Sequence, residues 1–107
     1  MIVQVNTGKT IEGSAAMTDG LETLIRDRLS RFEDKLTRVE IHVTDDNAGR
    51  EAGDDKQCVI EVRPTGLGPV KVTDTARSVH QATVGALGKM VTALDRTYGK
   101  LTSRKGH

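Results

Sequence analysis

Two stretches of this chain alternate so regularly that they fix the kind of sheet it can build. Residues 38–44 (RVEIHVT) put Val39, Ile41 and Val43 on one side and Arg38, Glu40, His42 and Thr44 on the other. Residues 57–63 (QCVIEVR) repeat the pattern, with Cys58, Ile60 and Val62 on the apolar side. Successive side chains of a strand point to opposite faces, so this patterning describes a sheet with one dry face and one wet face. A parallel sheet covered on both faces would need continuous apolar runs. The remaining elements must therefore cover a single sheet face.

Two long amphipathic segments supply that cover. Over residues 18–36, Leu21, Leu24, Ile25, Leu29, Phe32 and Leu36 recur at three- and four-residue steps, which predicts one helix. Thr18 stands at its N-cap and Asp19 in its first turn, where a negative charge suits the helix dipole. Glu22–Arg26 and Asp27–Arg31 are expected as four-residue ion pairs. Residues 77–101 predict a second helix, with Val79, Thr83, Leu87, Met90, Leu94, Tyr98 and Leu101 along its apolar stripe. Gly85, Gly88 and Thr92 form a flank of small residues, read as close packing against the first helix.

The remaining segments complete the sheet. Residues 2–7 (IVQVNT) and 70–75 (VKVTDT) read as strands, and 64–69 (PTGLGP) as a turn between strands. The polar, acidic run 45–56 reads as a long hairpin loop. The expected order is β-α-β-β-β-α, an α+β two-layer sandwich with a four-stranded mixed sheet and two helices on one face. The first strand joins the second by a right-handed crossover if the two are parallel, and the rest form an antiparallel meander. With 107 residues the chain fits one domain, read as 1–101 with a basic tail at 102–107.

Composition excludes several functions. Phe32 and Tyr98 are the only aromatic residues, too few for a surface that stacks bases if both are spent inside. One cysteine gives no disulfide framework and suits a reducing cytoplasm. No apolar run reaches the length of a membrane span, and no signal-peptide pattern opens the chain. Charge is uneven: residues 1–75 carry ten basic and fourteen acidic side chains, residues 76–107 six basic and one acidic. Such polarity steers charged partners.

No chemistry-bearing cluster emerges. Cys58, His42, His80 and His107 lack metal-ligand spacing, and Cys58 reads as a small core residue. The loop from Asp45 fails as a calcium loop because Arg50 stands at its sixth position and Lys56 at its twelfth. TGLGP lacks the lysine and helix of a phosphate-binding loop. Neither an enzyme nor a cofactor is expected. Basic side chains are a better lead. Projected on helices, Arg28, Arg31 and Lys35 share one flank of the first, and Lys89, Arg96 and Lys100 share an outward arc of the second. Two such rows suit a series of phosphates. The same charges also fit an ordinary solvated surface, some paired with Asp27 or Glu33.

The order of these segments resembles the ribosome hibernation-promoting factor and ribosome-associated inhibitor family, also called the sigma-54 modulation family. The opening strand with Thr7-Gly8-Lys9, the Thr18-Asp19 helix start, Arg28-Leu29-Ser30-Arg31-Phe32, Lys89-Met90 and Leu94-Asp95-Arg96 carry the resemblance over roughly residues 2–101. The second helix departs from the family pattern at Gly88 and over Val91-Thr92-Ala93. The resemblance implies a fold similar to double-stranded-RNA-binding domains. It also implies binding to small-subunit ribosomal RNA in the messenger and transfer RNA channel, which blocks initiation during stress or stationary phase. It carries Lys9, Arg28, Arg31, Lys89 and Arg96 over as RNA contacts. Helical geometry and charge add Lys35, Lys100, Arg104 and Lys105. The protein is expected to be monomeric when free, to lack the dimerisation domain of the family's long form, and to take no small-molecule substrate. The alternative is a protein-interaction module that modulates transcription or another stress-response partner through the polar sheet face or the acidic loop.

Overall fold

A computed structural model of the chain describes residues 1–8, 15–45 and 56–105, with side chains described through Gly99. The elements are β1 (Ile2–Thr7), α1 (Ala15–Arg28), a 3-10 helix (Ser30–Lys35), β2 (Leu36–Asp45), β3 (Lys56–Pro64), β4 (Val70–Ala76) and α2 (Val79–Lys105). The sheet order is β1-β2-β3-β4. β1 runs parallel to β2, with Val3 opposite Val39 and Val5 opposite Ile41. β2–β3 and β3–β4 are antiparallel, with Ile41 opposite Ile60 and Ile60 opposite Val72. The helices pack on one face, and the expected α+β sandwich is the observed one.

The alternation read from sequence is the alternation of burial. Val39, Ile41, Val43, Cys58, Ile60 and Val62 lie in the core, where α1 contributes Ile25 and α2 contributes Ala82, Ala86, Leu87, Met90 and Leu94. Thr83 is the one polar residue fully buried among the described ones, and its hydroxyl donates to the Val79 carbonyl at 2.8 Å. That bond offsets the cost of burying the hydroxyl. Ser78 caps α2, its hydroxyl oxygen accepting from the Gln81 N–H at 3.1 Å. The turn after β3 uses Gly66 at φ +75°, and the Leu67 N–H donates to the Pro64 carbonyl at 3.2 Å. The third position of this turn needs a positive φ, which glycine adopts without strain.

The first helix differs from the expected 18–36. It starts one turn earlier, at Ala15, so Thr18 lies inside it rather than at its cap. Ala15, Ala16 and Met17 are good helix formers, and the added turn is favourable. It stops at Arg28, gives way to the 3-10 helix, and leads directly into β2 at Leu36. The reason is periodicity: Leu29 and Phe32 are three apart, a spacing that suits a 3-10 turn as well as an α-helix. Both are buried, and Leu36 is buried as a strand residue. α2 continues past the expected end at 101 to Lys105.

Candidate nucleic-acid interface

The break after Arg28 redirects the cations of the first helical segment. Arg31 and Lys35 ride on the 3-10 helix and turn toward α2 instead of continuing a row from Arg28. The Arg31 guanidinium donates to the Asp95 carboxylate of α2 at 2.8 Å, and its carbon lies 4.8 Å from the centre of the Phe32 ring. The expected Asp27–Arg31 pair does not form, because four-residue neighbours face each other only within one continuous α-helix. Asp27 instead lies 4.0 Å from its neighbour Arg28, while Glu22–Arg26 forms as expected at 3.0 Å. Arg28 is in the last turn of α1, where a cation suits the dipole.

Lys35 is held differently. Its ammonium lies 4.6 Å from the centre of the Tyr98 ring, and Tyr98 stacks on Phe32 at 5.9 Å between centroids. Both aromatic residues are thus used in one place, Phe32 buried and Tyr98 half-buried. Burial pushes the Tyr98 phenol above its ordinary pKa.

The second expected row is also altered. Lys89 leans off α2 toward β4, donating to the Thr73 carbonyl at 2.8 Å and to Asp74 at 3.1 Å. Its charge is matched by a carboxylate rather than aimed outward. Arg96 is exposed, two helical turns beyond Lys89, and makes no hydrogen bond, ion pair or ring contact among the described residues. Arg31 and Lys35 thus meet the second half of α2 along the seam with the 3-10 helix, through Asp95 and Tyr98, while Arg96, seven residues after Lys89, projects from the outward face of α2. Arg28 ends α1, just before the 3-10 helix, and Lys89 turns to β4. Lys9 and the side chains of Lys100, Arg104 and Lys105 lie outside the described residues, as does most of the acidic 45–56 loop.

The small-residue flank of α2 does not pack on α1. A Cβ on Gly85 would fall 1.7 Å from the Asp74 carboxylate, so the close approach is to β4, while Gly88 faces open space. Sequence reasoning missed Asp74, Asp95 and Tyr98 as partners of the cations. No local spacing could have revealed them, since each contact joins residues far apart in the chain. Ser78 had a local signal, a serine three residues before a glutamine.

The opposite sheet face is polar, as expected. Arg38 donates to Glu40 at 2.6 Å and also to Gln4. The Arg38 hydrogen bond, with added attraction from His42 and Arg63, holds the Glu40 carboxyl below its ordinary pKa. Burial is the main cause that pushes the Cys58 thiol up to about 11. Among the described residues no group of three His, Cys, Asp or Glu side chains could hold a metal ion. No helix there is long and apolar enough to cross a membrane.

Comparison with solved structures places the fold among known ones. The N-terminal domain of Protein Y from Thermus thermophilus superposes with a TM-score of 0.71 at 22% identity, covering 91% of this chain and 99% of that one. A ribosomal subunit interface protein from Coxiella burnetii superposes with a TM-score of 0.68 at 17% identity, covering 92% and 99%. No curated protein matches the chain in sequence. The sequence profile of one family, however, matches residues 6–102, nearly the whole length. By that match, and in agreement with the resemblance of its motifs, the chain belongs to the Sigma 54 modulation protein / S30EA ribosomal protein family, whose members associate with the ribosome.

Proposed function

We propose that this protein binds RNA of the small ribosomal subunit in the channel for messenger and transfer RNA and blocks initiation, as a non-catalytic cytoplasmic hibernation factor. The observation that carries the reading is the pairing of Arg31 and Lys35 along one seam against α2, within a fold of the ribosome-associated family; exposed Arg96 adds a cation on the outward face of α2. Guanidinium and ammonium groups suit phosphate oxygens, and each contact releases counterions and makes binding salt-dependent. With both aromatic residues packed on each other, recognition runs through the backbone and shape of folded RNA rather than through base stacking. Lys89 is paired with Asp74 and Arg31 with Asp95, so each contributes less than a cation without a carboxylate partner. Lys9, Lys100, Arg104 and Lys105 are proposed as further RNA contacts on the motif resemblance and charge alone.

Co-sedimentation with ribosomes and separated subunits tests the reading. Binding to small subunits at about 50 mM salt that falls steeply by about 200 mM is the expected result. Arg28→Glu combined with Arg31→Glu should abolish it. Absence of binding at the lower salt, or binding indifferent to salt, overturns the reading and favours an uncharged protein interface.

A further inference from the structure

Three cations, Arg31, Lys35 and Lys89, are held in two ways, and the difference bears on which of these three meets a phosphate first. Arg31 and Lys89 are each held by a carboxylate, Asp95 and Asp74. A phosphate reaching either meets a carboxylate that already offsets the charge and takes one of its N–H donors. Lys35 is held by a ring instead, with its ammonium 4.6 Å from the Tyr98 centroid. A ring face attracts a cation without neutralising its charge or occupying its N–H groups. Lys35 carries three such donors and has no hydrogen-bond or ion-pair partner among the described residues.

Its position is fixed from both ends. The Lys35 carbonyl accepts from the Thr65 N–H at 2.9 Å, which ties its backbone to the turn after β3. Leu36, next in the chain, and Phe32, one 3-10 turn earlier, are buried. At the other end Tyr98 is held by its stack on Phe32. A long side chain normally loses rotamer freedom on binding, and a cation already placed loses less.

On these grounds, and on the RNA-binding reading above, we propose that Lys35 is the anchoring phosphate contact of the surface and Tyr98 the residue that positions it. Its ligand is a phosphate of an RNA backbone. Tyr98 acts through Lys35 and makes no phosphate contact of its own in this proposal.

The experiment is binding of the full chain to purified small ribosomal subunits across a series of salt concentrations. Lys35→Ala should weaken binding and reduce the slope of log affinity against log salt by about one. Tyr98→Leu should weaken binding about two- to fivefold with the slope unchanged, because it removes placement and not charge. Tyr98→Phe keeps the ring face and should bind as the unmodified protein does. The Lys35→Ala/Tyr98→Leu double variant should bind no more weakly than Lys35→Ala. Full additivity of the two losses, or a Lys35→Ala variant that binds like the unmodified protein, overturns the proposal while leaving the RNA reading intact. Failure of the unmodified protein to bind at low salt overturns both. If Tyr98→Leu does not fold, the Lys35 ε-methylene proton shift in the unmodified protein decides the positioning role. An upfield shift from the ring is expected, and an ordinary value overturns it.

Discussion

The Asp74 carboxylate of β4 occupies the space that a side chain at position 85 of α2 would take. A Cβ there would lie 1.7 Å from its Oδ2, and the other oxygen accepts from Lys89 one turn further on, at 3.1 Å. Gly85 and Lys89 together form a polar seat for the strand. Glycine in a helix costs about 1 kcal/mol against alanine, and here the cost accompanies a tertiary contact.

Gly85→Ala should therefore behave differently in two backgrounds. Alone, it displaces Asp74 from Lys89 and gives up the gain in helix propensity. With Asp74→Ala, nothing fills the seat and the gain of about 1 kcal/mol should appear. Urea unfolding of the four proteins should give a coupling of roughly 1–2 kcal/mol between positions 74 and 85. Additive effects would show that the carboxylate moves aside freely.

Cys58 sits opposite Asp74 in the β3–β4 register and is fully buried. Its thiol pKa rises from 9.0 to about 11. A raised acid pKa means the folded state holds its proton longer than the unfolded state does. The corresponding stability is complete below about pH 9 and is lost as pH rises toward about 11. Urea unfolding between pH 8 and pH 11 should show this decline, and Cys58→Ala should lessen it. At pH 8, alkylation of Cys58 should be slow without denaturant and limited by opening of the structure.

Glu40 owes its lowered pKa first to the Arg38 hydrogen bond. Its contribution to stability is present above the ordinary value of 4.5 and is lost as pH falls through the lower folded value. Arg38→Gln should bring the Glu40 titration, followed by carboxyl carbon NMR, back up toward that ordinary value. An unchanged titration would assign the effect to His42 and Arg63.

Asp95 is the one acidic side chain in residues 76–107; it pairs with Arg31 and precedes Arg96 in the chain. Both partners of its pair with Arg31 are exposed, so Asp95→Asn should change stability by less than about 1 kcal/mol. Removing a carboxylate that repels phosphate should strengthen small-subunit binding about two- to fivefold at low salt, and less at higher salt where the repulsion is screened. Weaker binding would mean that Asp95 matters chiefly for orienting Arg31.

Much of the fold was legible because the alternation of residues 38–44 and 57–63 admits one sheet geometry. The stripe from Val79 to Tyr98 likewise admits one helix face. The end of α1 was not legible. Leu29, Phe32 and Leu36 are spaced for an α-helix, and they are buried just as well by a 3-10 turn followed by a strand. The same ambiguity hid the site. Arg31 and Lys35 were recognisable as cations, but their direction depends on where the α-helix stops. The partners Asp95 and Tyr98 are more than sixty residues away in sequence. Lys89 kept its place on α2, and only the fold shows that it turns to Asp74.

The strands lie in the sheet in the order in which the chain supplies them. No strand has to thread between two already joined, so the sheet can assemble by addition at its borders. β2, β3 and β4 pair as neighbours in a meander, whereas β1 must wait for α1 and β2 before it finds its parallel partner. During synthesis the first strand to emerge is thus among the last to be satisfied, and pairing across an intervening helix is the slower kind of contact to close. β1 is expected to be the segment most readily released by brief local opening, ahead of the central pair that holds Ile41 against Ile60.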